Sequence, residues 1–151
     1  MRRMDSPLGM LLLGEENGAI CALRFALPDE EQAENAPESA ISRAAEEWLC
    51  AYFAGKVPGA PPPLMPRGTE FQKRVWAAVS EIPYGQTCTY GELAARIGCR
   101  SARAVGAALG KNPIWLFIPC HRVIGKDGSL TGYAGGVQKK AALLALERGT
   151  R

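Results

Sequence analysis

The sequence has one histidine, no two cysteines in a Cys-x-x-Cys spacing, and no apolar run that approaches the length of a membrane span. Structural zinc sites draw their ligands from Cys and His in paired spacings, so we expect no metal site. A membrane-spanning helix needs about 20 apolar residues, so we expect no membrane partner. The first 13 residues pair two arginines with a short apolar run, but Asp5, Pro7 and Gly9 interrupt it. Export signals need an unbroken apolar run, and these absences together predict a cytoplasmic protein.

Charge is divided unevenly along the chain. Residues 1–66 carry five Lys and Arg against ten Asp and Glu, and residues 67–151 carry thirteen against five, which gives net charges of −5 and +8. A basic half joined to an acidic half is typical of a protein whose basic half binds a polyanion such as DNA. Solvated surface charge produces the same asymmetry, so both interpretations stay open at this point.

The first part of the chain predicts a small α/β domain. Met10–Leu13 and Ala19–Phe25 are apolar segments joined through Asn17-Gly18, a dipeptide that favours the tight turn of a β-hairpin. Pro28 to Pro37 is an acidic loop, and from Ser39 onward apolar residues recur at helical spacing.

A proline-rich segment divides the chain. Residues 57–66 contain five prolines, which leaves little room for regular structure. We therefore predict a first domain at residues 1–60, a linker at 61–67, and a second domain at 68–151.

The second domain is predicted to be mostly helical. Thr69-x-x-Gln72 and Thr89-x-x-Glu92 are capping boxes, which are typical of helix N-termini. Gly98 is placed to end the second of these helices, and Ser101 to cap a third that ends at Gly110. Two short helices around a glycine-containing turn predict a helix-turn-helix, although the same pattern occurs in proteins that never bind DNA.

One face of the third helix has almost no side chains. Its core-facing residues are Val105, Ala108 and Leu109, and the opposite stripe consists of Arg103, Gly106, Ala107 and Gly110. This stripe lacks the long polar side chains that read a major groove, but it suits close approach to a narrow groove with Arg103 as the single cation. Tight packing of helices explains the glycines equally well, but it does not explain Arg103.

Among the five cysteines, Cys120 has a chemically useful neighbour, because the only histidine follows it as His121. The preceding run Ile114–Ile118 is too short for a helix and predicts a buried strand. Adjacent side chains in an extended segment point to opposite sides, so a catalytic Cys120–His121 pair needs a turn here or a bridging water. The other cysteines are expected to be reduced, buried and inert: Cys21, Cys50, Cys88 and Cys99.

The run Ile118–Ile124 (Ile-Pro-Cys-His-Arg-Val-Ile) resembles the active-site motif of the O6-alkylguanine-DNA alkyltransferases. The resemblance covers the whole second half of the chain and extends more loosely into the first. The further matching segments are residues 68–72, 75–76, 82–85, 89–90, 103–106, 112–113, 132–136 and 140–147.

The resemblance implies DNA repair by stoichiometric, irreversible transfer of an alkyl group from O6-alkylguanine in double-stranded DNA to the protein's own Cys120. O4-alkylthymine stays open as a second substrate. The damaged base is expected to flip out of the duplex through the minor groove. The resemblance further implies that His121 takes the thiol proton through a water and that Glu147 orients the imidazole. Tyr90 is expected to donate to the departing guanine, and Asn112 to brace the active-site turn.

The resemblance also implies a set of residues that bind the substrate base and DNA. Arg103 is expected to fill the place that the flipped nucleotide leaves, and Tyr133 to form a wall of the base pocket. No cofactor is implied, and a monomer is expected. The whole implied set is Arg103, Ala104, Gly106, Ala107, Arg122, Tyr133, Ala134, Gly135 and Lys140.

The fold that the resemblance implies is α+β. It joins a ribonuclease H-like N-terminal α/β domain with a short antiparallel sheet to a helical, winged-helix-like C-terminal domain that contains the helix-turn-helix. The chain departs from the family pattern between Gly98 and Arg103, where a proline and one further residue are missing and the turn is shorter. It also has Ala134 where some relatives carry a hydroxyl residue.

Three other functions fit parts of the sequence. A cysteine hydrolase or acyltransferase could use Cys120, His121 and Glu147, but it leaves the basic half and Arg103 unexplained. A non-catalytic damage-binding module would keep the fold and lack the acceptor thiol, which this chain retains. A transcription regulator would need side chains that read bases, and the third helix lacks them.

Overall fold

The computed structural model describes residues 1–32, 35–130 and 132–149 and forms two compact units, Met1–Pro66 and Arg67–Arg151. The chain is α+β. In the first unit the elements are β1 (Arg2–Met4), β2 (Leu11–Glu16), β3 (Ala19–Phe25) and α1 (Ala40–Phe53). In the second they are α2 (Glu70–Val79), β4 (Cys88–Thr89), α3 (Tyr90–Arg96), α4 (Ala102–Gly110), β5 (Val123–Ile124) and α5 (Val137–Glu147). No helix of the described residues is both long and apolar enough to cross a membrane.

The first unit is an antiparallel sheet in the order β1-β2-β3 with one helix. The predicted hairpin is confirmed: Asn17 (φ 53°) and Gly18 (φ 75°) both have the positive φ angles that a tight type I′ turn requires. Strand β1 pairs Met4 with Leu11 and was not expected, because Pro7 and Gly9 break the apolar run that contains it. Within the predicted acidic loop, a single 3-10 turn forms at Pro28–Glu30, and residues 33 and 34 lie outside the described residues.

Helix α1 begins where the sequence predicts it. The Ser39 hydroxyl accepts a hydrogen bond from the Ser42 amide at 2.9 Å, and the helix buries Ala45, Leu49 and Tyr52. The proline-rich segment lies against β3, because Ile20 donates to the Pro63 carbonyl and accepts from the Met65 amide, both at 2.8 Å.

The second unit contains the helices predicted from the capping boxes. Thr69 and Thr89 accept from the amides of Gln72 and Glu92, both at 3.1 Å, so the two helices start at their predicted caps. Helices α3 and α4 are separated by residues 97–101, with Gly98 at φ 69° after the end of α3. Val105, Ala108 and Leu109 of α4 are buried, as predicted.

The predicted strand at Ile114–Ile118 is wrong. Leu116 has a φ of 72°, the Phe117 amide donates to the Trp115 carbonyl at 2.8 Å, and the Ile118 amide donates to the Ile114 carbonyl at 3.1 Å. These bonds close a tight turn in place of a strand. The apolar side chains indicated burial correctly, but they did not reveal that the Asn112 side chain bonds both ends of the turn.

Trp76 connects α2 to α4 in the core of the second unit. The residue is 2% exposed, and its Nε1 donates to the Ala108 carbonyl at 2.9 Å. A Cβ placed on Gly68 would lie 2.5 Å from this ring, too close for any side chain. Gly68 is therefore required by packing, because the indole that it faces is fixed by its hydrogen bond.

We expect Gly68→Ala to lower the free energy of unfolding by about 1–3 kcal/mol, because the added methyl must displace the indole or the backbone. Gly110→Ala is the matched control: nothing lies within 4 Å of a Cβ at this position. Since alanine favours the helix, the control should raise stability by up to about 1 kcal/mol. Urea unfolding of both variants measures the difference, and equal effects would contradict this account of Gly68.

Candidate active site

Asn112 holds the turn that presents Cys120. Its Oδ1 accepts from the Ile114 amide at 2.9 Å, and its Nδ2 donates to the Ile118 carbonyl at 3.0 Å and to Cys120 Sγ at 2.9 Å. One buried amide thus bonds two points of the turn and the thiol. The chain then enters a one-turn 3-10 helix at Cys120–Arg122, so the turn that a Cys120–His121 pair requires is present.

The carboxylate of Glu147, on α5, accepts hydrogen bonds from His121, Arg122 and Gly85. His121 Nε2 lies 2.5 Å from Oε2, and Arg122 Nε lies 2.7 Å from Oε1. Arg122 Nη2 reaches Oε2 at 3.2 Å, and the Gly85 amide donates to Oε1 at 3.1 Å. His121, Arg122 and Glu147 are all buried. Such a buried carboxylate is tolerable because its charge is paired and both oxygens are hydrogen-bonded.

This arrangement fixes the state of the imidazole. Burial lowers the pKa of His121 and outweighs the opposing effect of its hydrogen bond to Glu147, so the ring is neutral at neutral pH. A carboxylate that already accepts from Arg122 and Gly85 offers no proton, so the proton of the His121–Glu147 bond belongs to Nε2. The basic nitrogen of His121 is therefore Nδ1.

The Cys120 thiol is neutral at rest. It is 8% exposed, and burial raises its pKa to about 12, although the Asn112 hydrogen bond and the charge of Lys140 both lower it. Burial also lowers the pKa of Lys140, which is 1% exposed. The nucleophilic form of a cysteine is the thiolate, so this thiol must lose its proton during any attack.

Cys120 and Asn112 line one small cleft with a free volume of about 10 Å³. Lys140 Nζ lies 5.8 Å from the centre of the Tyr90 ring in this cleft. Burial raises the pKa values of Tyr90 and Tyr133, so both phenols keep their protons and can donate hydrogen bonds. The other lining residues are Leu109, Trp115, Gly132 and Ala134.

The residues predicted to bind DNA lie in different surroundings. Arg103 and Ala107 of α4 are exposed, whereas Ala104 and Gly106 are half-buried, and a Cβ on Gly106 would contact the Tyr90 ring at 3.8 Å. Ala134 is exposed and Gly135 half-buried beside Tyr133.

Arg122, which the sequence predicted to contact substrate or DNA, is buried in the structure. It is 7% exposed, and besides binding Glu147 it donates from Nη1 to the Ile82 carbonyl at 2.9 Å. Its donors are directed into the protein because the buried carboxylate needs a cation.

Two residues of the site had no predicted role. Gly85 belongs to a matching segment, yet only the fold shows that its amide donates to Glu147, 62 positions away. Trp115 lines the cleft and donates from Nε1 to the Asn112 carbonyl at 3.0 Å. Its apolar surroundings indicated only burial. Among the described residues there is no group of three or more His, Cys, Asp or Glu side chains that could hold a metal ion.

Comparison of the sequence with known proteins shows the class to which this protein belongs. Residues 70–149 match the family profile described as "6-O-methylguanine DNA methyltransferase, DNA binding domain". Two relatives named methylated-DNA–protein-cysteine methyltransferase resemble nearly the whole chain. The one from Mycobacterium tuberculosis H37Rv is 46% identical over 150 residues, covering 97% of this chain and 91% of the relative. The one from Methanosarcina barkeri is 48% identical over 148 residues, covering 95% and 94%.

A solved structure gives the same result. The crystal structure of Mycobacterium tuberculosis OGT in complex with DNA has a TM-score of 0.87 and 46% identity, with coverage of 98% of this chain and 92% of that one. The chain belongs to the methylated-DNA–protein-cysteine methyltransferase family, and the resemblance found in the sequence is confirmed.

The raised pKa of Cys120 predicts how the free protein reacts with iodoacetamide. Since the thiolate fraction rises with pH up to a pKa of about 12, the rate at Cys120 should climb about tenfold per pH unit from pH 7 to 10. Cys50 was expected to be buried, but it is exposed, so it is the internal reference and should be labelled first at pH 7. Peptide mapping by mass spectrometry separates the sites, and a plateau at Cys120 below pH 9 would contradict the neutral buried thiol.

Proposed function

We propose that this protein repairs DNA by transferring an alkyl group from O6-alkylguanine in double-stranded DNA to Sγ of its own Cys120, once and irreversibly. The observation that carries the proposal is the buried Cys120 thiol beside the His121–Glu147 pair, in a unit that matches a DNA-binding methyltransferase domain. In the reaction an S–C bond forms at the alkyl carbon and the C–O6 bond breaks. The thiol loses its proton and the guanine gains one.

The thiol proton leaves through His121. Because Glu147 holds the proton on Nε2, Nδ1 is available to accept another, and a water relays it from Cys120. The imidazolium so formed lies beside a carboxylate, which stabilises it. Lys140 favours the developing thiolate, since its charge lowers the pKa of Cys120. Deprotonation is thus coupled to attack, which suits a thiol whose resting pKa is about 12.

The departing guanine needs a proton donor and a defined pocket. Tyr90 lines the cleft as a protonated phenol and donates to the base as it leaves. Tyr133 and Lys140 also line it and position the base, together with Ala134 and the neighbouring backbone of Gly135. O4-alkylthymine presents the same O-alkyl group on a smaller ring and is a second candidate substrate.

Helix α4 provides the DNA contact. Arg103 is exposed in its first turn, and Ala104, Gly106 and Ala107 leave the helix surface low enough for close approach to the minor groove. The base is flipped out and Arg103 takes its place in the stack. The α3–α4 pair then serves as a helix-turn-helix of winged-helix type, so residues 68–151 hold both DNA binding and alkyl transfer. Residues 1–60 form a ribonuclease H-like domain, and the protein acts as a monomer.

The stoichiometry tests the proposal directly. Incubation with an excess of an O6-methylguanine duplex should add one methyl group per chain, on Cys120, because a thioether has no easy leaving group and no second step follows. Intact mass and peptide mapping provide the measurement. Cys120→Ala should abolish transfer and keep DNA binding, whereas Cys99→Ala should retain both. Repair of more than one base per chain would overturn the proposal.

The Arg103→Ala variant distinguishes binding with base flipping from binding to the DNA surface alone. We expect Arg103→Ala to slow transfer from duplex DNA about five- to thirty-fold, a loss of about 1–2 kcal/mol in a contact that exists only in the flipped complex. Transfer from a single-stranded O6-methylguanine oligonucleotide should change much less, because no base pair has to open.

Arg100→Ala is the matched control for Arg103→Ala. It removes the same charge from an exposed position in the neighbouring turn, so any loss should be similar on duplex and single-stranded DNA. Equal losses on both substrates for Arg103→Ala would make Arg103 an ordinary electrostatic contact.

A further inference from the structure

Lys140 is a buried cation without a counter-charge of its own. The residue is 1% exposed, belongs to α5 and lines the cleft beside Cys120. Its ammonium makes no hydrogen bond or ion pair with any residue that the structure describes, and its aromatic contact is the Tyr90 ring, whose centre lies 5.8 Å from Nζ. Lysine is almost never fully buried unless its charge is paired. A cation–π contact alone leaves the donors of this ammonium without acceptors.

The carboxylate of the site does not supply that counter-charge. Both oxygens of Glu147 are bonded to Arg122, at 2.7 and 3.2 Å, so the charges of these two residues offset each other. Cys120 and His121 are neutral at rest, because burial raises the pKa of the thiol to about 12 and lowers the pKa of the imidazole. The buried groups around the thiol therefore carry one positive charge in excess, that of Lys140. Excess charge in a buried site favours an ion of opposite sign.

The hydroxyl of Tyr133 is a second buried donor in the same cleft. Its oxygen is buried and has no hydrogen-bond partner within residues 1–32, 35–130 and 132–149. Burial raises the pKa of Tyr133 well above its usual range, so the phenol keeps its proton and can donate it. A buried donor without an acceptor costs free energy. An ammonium and a phenol that line one cleft together favour a ligand that accepts hydrogen bonds and carries negative charge.

The volume of the cleft limits which anion can enter the DNA-free protein. A free volume of about 10 Å³ holds roughly one water-sized particle. Carboxylate, phosphate and sulfate groups contain several heavy atoms and are too large for this space. Chloride is a single atom that is only slightly larger than a water molecule. The volume and the donors together therefore indicate a monatomic anion.

We propose that the cleft beside Cys120 binds a small monovalent anion such as chloride in the DNA-free protein, held by the Lys140 ammonium and the Tyr133 hydroxyl. This inference rests on the proposed function, to which it adds a control on the acceptor thiol. The bound anion offsets the charge of Lys140 and so removes an interaction that favours the Cys120 thiolate. It also occupies space that the substrate needs, so an entering base displaces it and restores that interaction.

The test is the rate at which iodoacetamide labels Cys120 in the DNA-free protein, with chloride replacing glutamate at constant ionic strength and fixed pH. Glutamate is too large for the cleft and keeps the general salt effect constant. The rate should fall at least about threefold and reach a plateau, because a rise of only about half a unit in the pKa of Cys120 lowers the thiolate fraction about threefold. Cys50 is exposed and is the internal reference, whose rate should not change.

Three variants identify the side chains that hold the anion. Lys140→Met keeps the length of the side chain and removes its charge, so labelling of Cys120 should no longer depend on chloride. Lys139→Met is the matched control, since it removes the same charge from the adjacent position of α5, outside the lining of the cleft, and should keep the plateau. Tyr133→Phe removes the hydroxyl alone and should raise the chloride concentration for half the effect about tenfold, the scale of a hydrogen bond to a charged group. This variant decides the question if Lys140→Met does not fold.

The outcomes separate this inference from the proposed function. A labelling rate at Cys120 that is independent of chloride overturns the anion site, because water then satisfies the donors of the cleft. A decline without a plateau, an equal decline at Cys50, or an unchanged plateau in Lys140→Met also overturns it, since ordinary salt effects then explain the result. If the wild-type protein in chloride-free buffer takes no methyl group from an O6-methylguanine duplex, the proposed function is overturned, whatever the chloride dependence of labelling.

Discussion

The buried carboxylate of Glu147 is the constraint on which the site depends. It joins three distant parts of the second unit. Its oxygens accept from His121 and Arg122, which follow Cys120, and from Gly85, which precedes α3, and Glu147 itself belongs to α5. A buried charge of this kind is stable only while its partners remain, and loss of one partner typically costs about 3–5 kcal/mol. Neither α5 nor the 3-10 turn at Cys120 can shift without breaking these bonds. The geometry around the thiol is therefore a consequence of charge pairing.

The same pairing explains how a neutral cysteine can act as a nucleophile. A thiolate exposed to solvent would react with any available electrophile, whereas burial keeps Cys120 protonated and raises its pKa to about 12. His121 is neutral, and its Nε2 proton is bonded to Glu147, so Nδ1 is the nitrogen that can accept the thiol proton. In the proposed reaction the thiol loses its proton only when an alkyl carbon is positioned to receive the sulfur. The proposed mechanism therefore attributes selectivity to access and placement more than to the intrinsic reactivity of the thiol.

Local sequence patterns anticipated the elements well. Asn17-Gly18 predicted the hairpin, and Ser39, Thr69 and Thr89 predicted helix starts, since capping and turn formation depend on residues three or four apart. The prediction was wrong at Ile114–Ile118. Apolar content indicated burial there, and the strand was inferred from the length of the segment alone. The turn forms because Asn112 supplies hydrogen bonds to it, a tertiary feature that periodicity does not contain.

The sequence by itself determined the family and the basic character of residues 67–151, because motif order and charge are properties of the chain. It also indicated that a Cys120–His121 pair needs a turn at this point or a bridging water. Only the tertiary structure decided that Arg122 pairs with Glu147, that Gly85 donates to the same carboxylate, and that Trp115 lines the cleft. The physical reason is that hydrogen bonds and cavity walls join residues separated by tens of positions, and their partners are chosen by packing.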